Sequence, residues 1–282
     1  MSEEVRKIGI KTIWAVYFSA TGTTEKVVTC VAKTVAQVMN TEYKQFCFNL
    51  PKDREGALSF GPDDLVVLGV PVYAGRVPNL LLPYLKEKVS GNNTLGVPVC
   101  LFGNRNFDDG LMELRNVMWT NGFYPITGGA FVGEHSFSRI LGEGRPDEED
   151  MALAVQLGQK TADKIKNLQQ LPNEPVTVVG CDPIRPYYVP QDRYGHSINI
   201  LKVKPKTDPN KCIKCGLCAR ICPMGAIDPA DVFSVPGKCI KCCACVKRCP
   251  MGAKYYDDKG YLYHQHELEE IYIRRADSQI FM

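Results

Sequence analysis

The feature that most constrains this chain is a cysteine pattern that occurs twice. The segment CIKCGLCARICPMGAI, starting at Cys212, returns 27 positions later as CIKCCACVKRCPMGAK, with ten of sixteen positions identical. Each copy reads C-x2-C-x2-C-x3-C-P, with Cys212, Cys215, Cys218 and Cys222 before Pro223, then Cys239, Cys242, Cys245 and Cys249 before Pro250. Three thiolates at this spacing can wrap a short loop around three corners of an iron-sulfur cubane. The fourth, displaced by three and followed by proline, points to the other centre. The expected ligand sets are Cys212, Cys215 and Cys218 with Cys249, and Cys239, Cys242 and Cys245 with Cys222. Two [4Fe-4S] clusters are the expectation; zinc is the rival, because C-x2-C pairs also ligate zinc.

The remaining cysteines support a reducing setting. The chain has 13, an odd number. Cys30, Cys47, Cys100 and Cys181 are scattered through the first two thirds and read as small buried residues, and no secretory signal is evident, so a disulfide framework is not expected. Cys243 is an extra thiol inside the second copy, read either as a buried small residue or as an alternative ligand. The net charge of +3 is unevenly spread, with −2 over residues 1–180 and +5 over 181–282. Two clusters would each contribute about −2 and cancel that excess, so the basic half is not read as a nucleic-acid surface. No apolar run approaches the roughly 20 residues of a membrane span. The expected location is the cytoplasm of an anaerobe.

At 282 residues the chain is long enough for two domains. The first part alternates strand-like and helix-like segments: strands at 12–18, 43–50, 65–70, 97–102 and 124–132, and helices at 24–39, 79–89, 109–121 and 147–168. Val27, Val28, Val31, Val35 and Val38 fall at helical spacing. Repeated strand-helix units imply an α/β fold with a parallel sheet covered on both faces. Five strands fit a flavodoxin-like doubly wound five-stranded parallel sheet, whose ligand sits beyond the carboxyl ends of the strands. The stretch 51–62 is too short for a full helix between the second and third strands.

Seven prolines between 172 and 209 interrupt any long regular element. Tyr187, Tyr188 and Tyr194 suit a strap packed across a domain face better than a free tether. The expected division is 1–171 as an α/β unit, 172–201 as a proline- and tyrosine-rich linker strap, and 202–282 as a small α+β two-cluster unit with a C-terminal extension. A short helix at 267–275 is expected to pack back on that unit.

Three loops follow predicted strands. Ser19, Ala20, Thr21, Gly22, Thr23 and Thr24 stand between the first strand and first helix, where hydroxyls and backbone N–H groups make an anion site. No Gly-Lys-Ser/Thr ends the loop, which disfavours a nucleoside triphosphate. Pro71, Val72, Tyr73, Ala74, Gly75 and Arg76 follow the third strand, and Gly103, Asn104, Arg105, Asn106, Phe107 and Asp108 follow the fourth. His135, after the fifth, is a weak further candidate.

From about residue 202 to 258 the cysteine repeat resembles the bacterial two-cluster ferredoxins, and the three loops resemble those of flavodoxins. That second resemblance implies FMN, its phosphate in the Ser19 to Thr24 loop, Tyr73 against the ring, backbone at Ala74 and Gly75 beside the flavin N5, and residues 104–108 over the pyrimidine side. Arg76 and Arg105 would be unusual neighbours of a flavodoxin flavin; each is read either as a cation near N1 or as a surface ion pair. The whole chain is similar to flavodoxin-ferredoxin fusion proteins.

The resemblance implies electron transfer between two [4Fe-4S] clusters and FMN, converting one-electron to two-electron transfer, with a redox protein partner or a small-molecule acceptor. Two other functions stay open: an FMN-dependent reductase of a quinone, nitro compound or metal complex, and a flavin-free ferredoxin with a docking domain. No G-x-G-x-x-G fingerprint follows any strand, so direct use of a nicotinamide cofactor is disfavoured. Oligomeric state is not legible.

Overall fold

A computed structural model describes residues 9–282. The α/β unit contains β1 (Thr12–Tyr17), α1 (Thr23–Met39), β2 (Glu42–Cys47), β3 (Leu58–Phe60), β4 (Asp64–Pro71), α2 (Leu82–Lys88), β5 (Val89–Gly91), β6 (Thr94–Phe102), α3 (Gly110–Thr120), β7 (Phe123–Pro125), β8 (Gly128–Val132) and α4 (Glu148–Asn167). Then follow β9 (Lys206–Thr207), α5 (Leu217–Arg220), α6 (Ala244–Lys247), β10 (Lys254–Tyr255), α7 (Lys259–Ile271) and β11 (Gln279–Phe281).

The main sheet runs β2-β1-β4-β6-β8-β11, with β7 also paired to β6. Its five long parallel strands take the flavodoxin-like order, the second strand outside the first and the third, fourth and fifth following on the other side. Strand residues alternate between two layers. Ile13, Ala15, Tyr17, Leu65 and Val67 pack under α1 and α4, while Val16, Phe18, Val66, Leu68 and Val70 pack with Leu114 and Met118 of α3. Burial on both faces is why these strands read as nearly continuous apolar runs. Asp147 caps α4 by accepting from the Glu149 and Asp150 amides.

The expected all-parallel five-stranded sheet is corrected in two places. First, the segment 124–132 is two strands. β7 pairs Phe123 with Thr94, whereas β8 pairs Gly129 with Val99, so one extra residue enters between them. Pro125 cannot donate to a ladder, and Thr127 turns away to bond the Thr161 hydroxyl at 2.7 Å.

Second, the C-terminal strand β11 joins the sheet antiparallel to β8, making a mixed seven-stranded sheet. The helix expected at 267–275 lies earlier, at α7, because Asp258 caps it through the Tyr261 amide at 2.9 Å. Residues 272–278 then run back across the α/β unit to reach the sheet edge. Between β2 and β4 there is only a single 3-10 turn, Pro51–Arg54, and the short strand β3. Among the described residues no helix is long and apolar enough to cross a membrane.

The cysteine-rich lobe is a small β/α region. β9 and β10 pair antiparallel, and α5 and α6 are single turns at equivalent points of the two copies. The duplication extends to the backbone: Lys214 and Lys241, and Gly216 and Cys243, have positive φ angles of 55°, 59°, 70° and 56°.

Candidate functional site

The loops that follow β4, β6 and β8 meet the strap and the cysteine-rich lobe around a cavity of about 1180 Å³. Its α/β wall includes Val72, Tyr73, Ala74, Gly75, Gly103, Arg105, Asn106 and His135. The strap contributes Tyr187 and Tyr188, α7 contributes His264, and the lobe contributes residues 236–241. This is the crevice beyond the carboxyl ends of the strands, where an open α/β sheet holds its ligand.

The loop after β4 is a tight turn. Tyr73 and Arg76 exchange backbone hydrogen bonds of 2.9 and 3.1 Å, with Ala74 at φ 51° and Gly75 at φ 78°. A side chain on Gly75 would also start 2.7 Å from the Asp108 carboxylate. The Ala74 carbonyl accepts from Tyr188 N–H at 2.9 Å, and the Gly75 carbonyl from Asp109 N–H at 3.0 Å. What this turn offers a ligand is therefore N–H rather than C=O. Gly103 is held against His135, whose ring would lie 2.4 Å from an added Cβ.

Several expected contact residues have structural roles instead. Asn104 is buried and bound to the C-terminal segment: its Nδ2 donates to the carbonyls of Tyr272 (2.7 Å) and Arg274 (2.6 Å), and its Oδ1 accepts from Ala276 N–H (3.1 Å). Phe107 packs against Phe102 and Phe281 in the core. Arg76 does not line the cavity: it is paired with Glu113, a salt bridge closed by the Nε bond of 3.0 Å, and its guanidinium lies 4.3 Å from the Tyr187 ring centre. Arg105 does line it, paired with Asp108 and 4.8 Å from the Tyr188 ring centre.

Pro71 closes β4, and Ala20 is buried in the layer beside α3. The loop from Ser19 to Thr24 lies outside the cavity lining. Ser19 Oγ accepts from Glu25 N–H at 3.0 Å, and the Ser19 amide and carbonyl are both bound by the Asn49 side chain. Gly22, with φ 103°, opens α1 without a side-chain cap. Thr21 and Thr23 are half-buried there and Thr24 is buried. Thr23 sits 3.2 Å from where a Cβ on Gly133 would stand, so the chain between Gly133 and His135 joins this loop to the cavity wall.

The strap is tied down by Asp109, which is buried and accepts from the amides of Cys181 and Arg185 and from the Arg185 guanidinium at 2.6 Å. The Arg185 bonds hold its carboxyl down at about 2. Tyr187 donates to the Val77 carbonyl at 2.8 Å. Burial, with Lys247, His264 and Arg105 nearby, lowers His135 to about 3; burial, then Arg105, lowers His264 to about 4. Both rings are neutral at ordinary pH. His264 Nδ1 is buried with no hydrogen-bond partner among the described residues. Sequence reading missed His264, because a lone histidine on a helix carries no spacing signal; it named Tyr187 and Tyr188 as strap residues but not as cavity wall.

In the lobe, Cys212, Cys215, Cys218, Cys245 and Cys249 line one narrow cavity, and Cys222, Cys239, Cys242, Cys243 and Cys245 line another, so that Cys245 borders both. Backbone N–H groups of Ala226, Ala253 and Lys241 point at the sulfurs of Cys222, Cys249 and Cys239 at 3.2, 3.3 and 3.4 Å. The expectation of two bound [4Fe-4S] clusters is nevertheless corrected. Among the described residues there is no group of three or more His, Cys, Asp or Glu side chains that could hold a metal ion. The repeat dictates spacing along the chain, whereas a metal centre needs several sulfurs at bonding distance, about 2.3 Å for zinc, from a common point. Cys243 is buried at the start of α6, its sulfur 3.4 Å from the Tyr261 hydroxyl, where the first copy has Gly216.

Residues 205–228 match the 4Fe-4S binding domain family. None of the curated proteins matches the chain. Among solved structures, the chain is similar to a flavodoxin from the domain Archaea, with 14% identity over 56% of this chain and 99% of that one and a TM-score of 0.40. Oxidised flavodoxin 2 from Bacillus cereus has 14% identity over 55% and 99%, TM-score 0.40. The apo form of an NADH:FMN oxidoreductase has 15% identity over 58% and 92%, TM-score 0.40.

Proposed function

We propose that this protein is an electron carrier that binds one FMN in the cavity between its flavodoxin-like unit and its cysteine-rich lobe. The observation that carries this reading is the cavity itself, at the strand ends where such sheets hold ligands and walled by the turn at Ala74 and Gly75 and the loop from Gly103 to Asn106. The match to a 4Fe-4S binding domain family is consistent with the same redox role. The Ala74 and Gly75 amides, in a turn whose carbonyls already accept from Tyr188 and Asp109, fit a planar heterocycle that offers acceptors.

Bound FMN supplies the ability to hold one or two electrons. The protein's part is to seat and shield it. Tyr73, Tyr187 and Tyr188 give aromatic and apolar wall, and the strap, fixed by Asp109, covers the site on one side. The uncapped start of α1, with Thr21 and Thr23, suits the phosphate. Arg105 keeps a positive charge at the wall, screened by Asp108.

The test is anaerobic titration of the full chain with FMN, followed by quenching of flavin fluorescence. One FMN per chain is expected, with loss of binding in Gly103→Val, where the added side chain meets His135. Absence of quenching at tens of micromolar protein would refute the reading.

A further inference from the structure

The cavity has a second wall whose chemistry a flavin does not use. The lining also holds Lys202, Lys204, Lys238 and Lys241, and among the described residues no aspartate or glutamate lines the cavity. Two of these ammonium groups are held in place by carbonyl oxygens alone. Lys204 Nζ donates to Val235 (2.6 Å) and Pro236 (3.1 Å), and Lys241 Nζ to Leu201 (2.9 Å) and Cys239 (3.2 Å). The other two, Lys202 and Lys238, are exposed and form no ion pair with a carboxylate among the described residues.

The one arginine of the lining, Arg105, is matched by Asp108, whereas the four lysines are not matched by a carboxylate among the described residues. Four unmatched ammonium groups in one recess repel each other, and a recess lined by one sign of charge concentrates counter-ions. The expected phosphate loop is outside this lining, so in the proposed orientation these lysines are not needed for FMN. A volume of about 1180 Å³ also exceeds the range of roughly 300–1,000 Å³ usual for one drug-sized ligand.

We infer that the lysine wall is a binding site for a small polyvalent oxyanion, a polycarboxylate or a phosphate ester, beside the flavin-side wall. The site shares its cavity with the proposed FMN site but does not require flavin to be present.

The experiment is calorimetric titration of the full chain, at low ionic strength so that screening is weak, with citrate and separately with pyrophosphate. Binding of one anion per chain is expected, weakened at least tenfold in the double variant Lys202→Gln/Lys238→Gln, whose circular dichroism should match the parent. The stronger of the two anions identifies the class. Citrate or pyrophosphate binding with no FMN binding would still support the site, while removing the flavin reading. Absence of binding by both anions, or binding unchanged in the double variant, would overturn it. So would a double variant that loses FMN affinity but keeps riboflavin affinity, since the lysines would then hold the flavin's own phosphate.

Discussion

Replacing Asn104 by alanine tests how the C-terminal segment and the cavity loop are joined. The side chain makes three hydrogen bonds to the segment 272–276, at 2.6 to 3.1 Å, from a buried position. At about 1 kcal/mol net for each bond, the direct loss is about 3 kcal/mol. Asn104 also has φ 65°, a conformation asparagine tolerates and alanine adopts at a cost of about 1 kcal/mol or more. Against this, Tyr272 is half-buried and Arg274 exposed, so water can replace part of the lost bonding. The expected destabilisation is therefore about 2–4 kcal/mol, read from urea unfolding of the full chain. Asn104→Gly removes the same bonds without the backbone penalty, and its cost should be smaller by about 1 kcal/mol. Hydrogen exchange at β11 should rise in both variants. An Asn104→Ala change below about 1 kcal/mol, with β11 protection intact, would refute the claim that this residue clasps the segment.

Two other outcomes follow from buried charge. Asp150 is buried and receives the Arg145 guanidinium, the Ser278 hydroxyl and the Asp147 amide; Asp150→Asn leaves the buried Arg145 with only the longer pair to Asp147, at 3.4 Å, and should cost about 3 kcal/mol in thermal or urea unfolding. His135 and His264 are lowered to about 3 and 4 when folded but titrate near 6.5 when unfolded, so below about pH 6.5 the unfolded chain binds more protons. Stability should fall as pH drops from 6.5 toward 4, and His135→Asn should flatten that slope; an unchanged slope would contradict the burial of this ring.

The order of strands and helices was legible because burial on both sheet faces forces uninterrupted apolar runs such as 65–70, and helices need apolar residues at three-four spacing, as the valines of α1 show. The loops at the strand ends were legible for the same reason: connectivity alone places them on one edge. By itself the sequence also determined the duplication, which the structure extends to matching left-handed residues at Lys214 and Lys241. Only tertiary structure decided what those residues face. Arg76, left open between a ligand contact and an ion pair, is paired with Glu113, and Asn104 is bound by a segment some 170 residues later, because a hydrogen-bond partner is chosen by distance in space and leaves no mark in local pattern. The strand at 279–281 and the metal geometry of the cysteines depend likewise on how distant segments converge, which spacing along a chain does not encode.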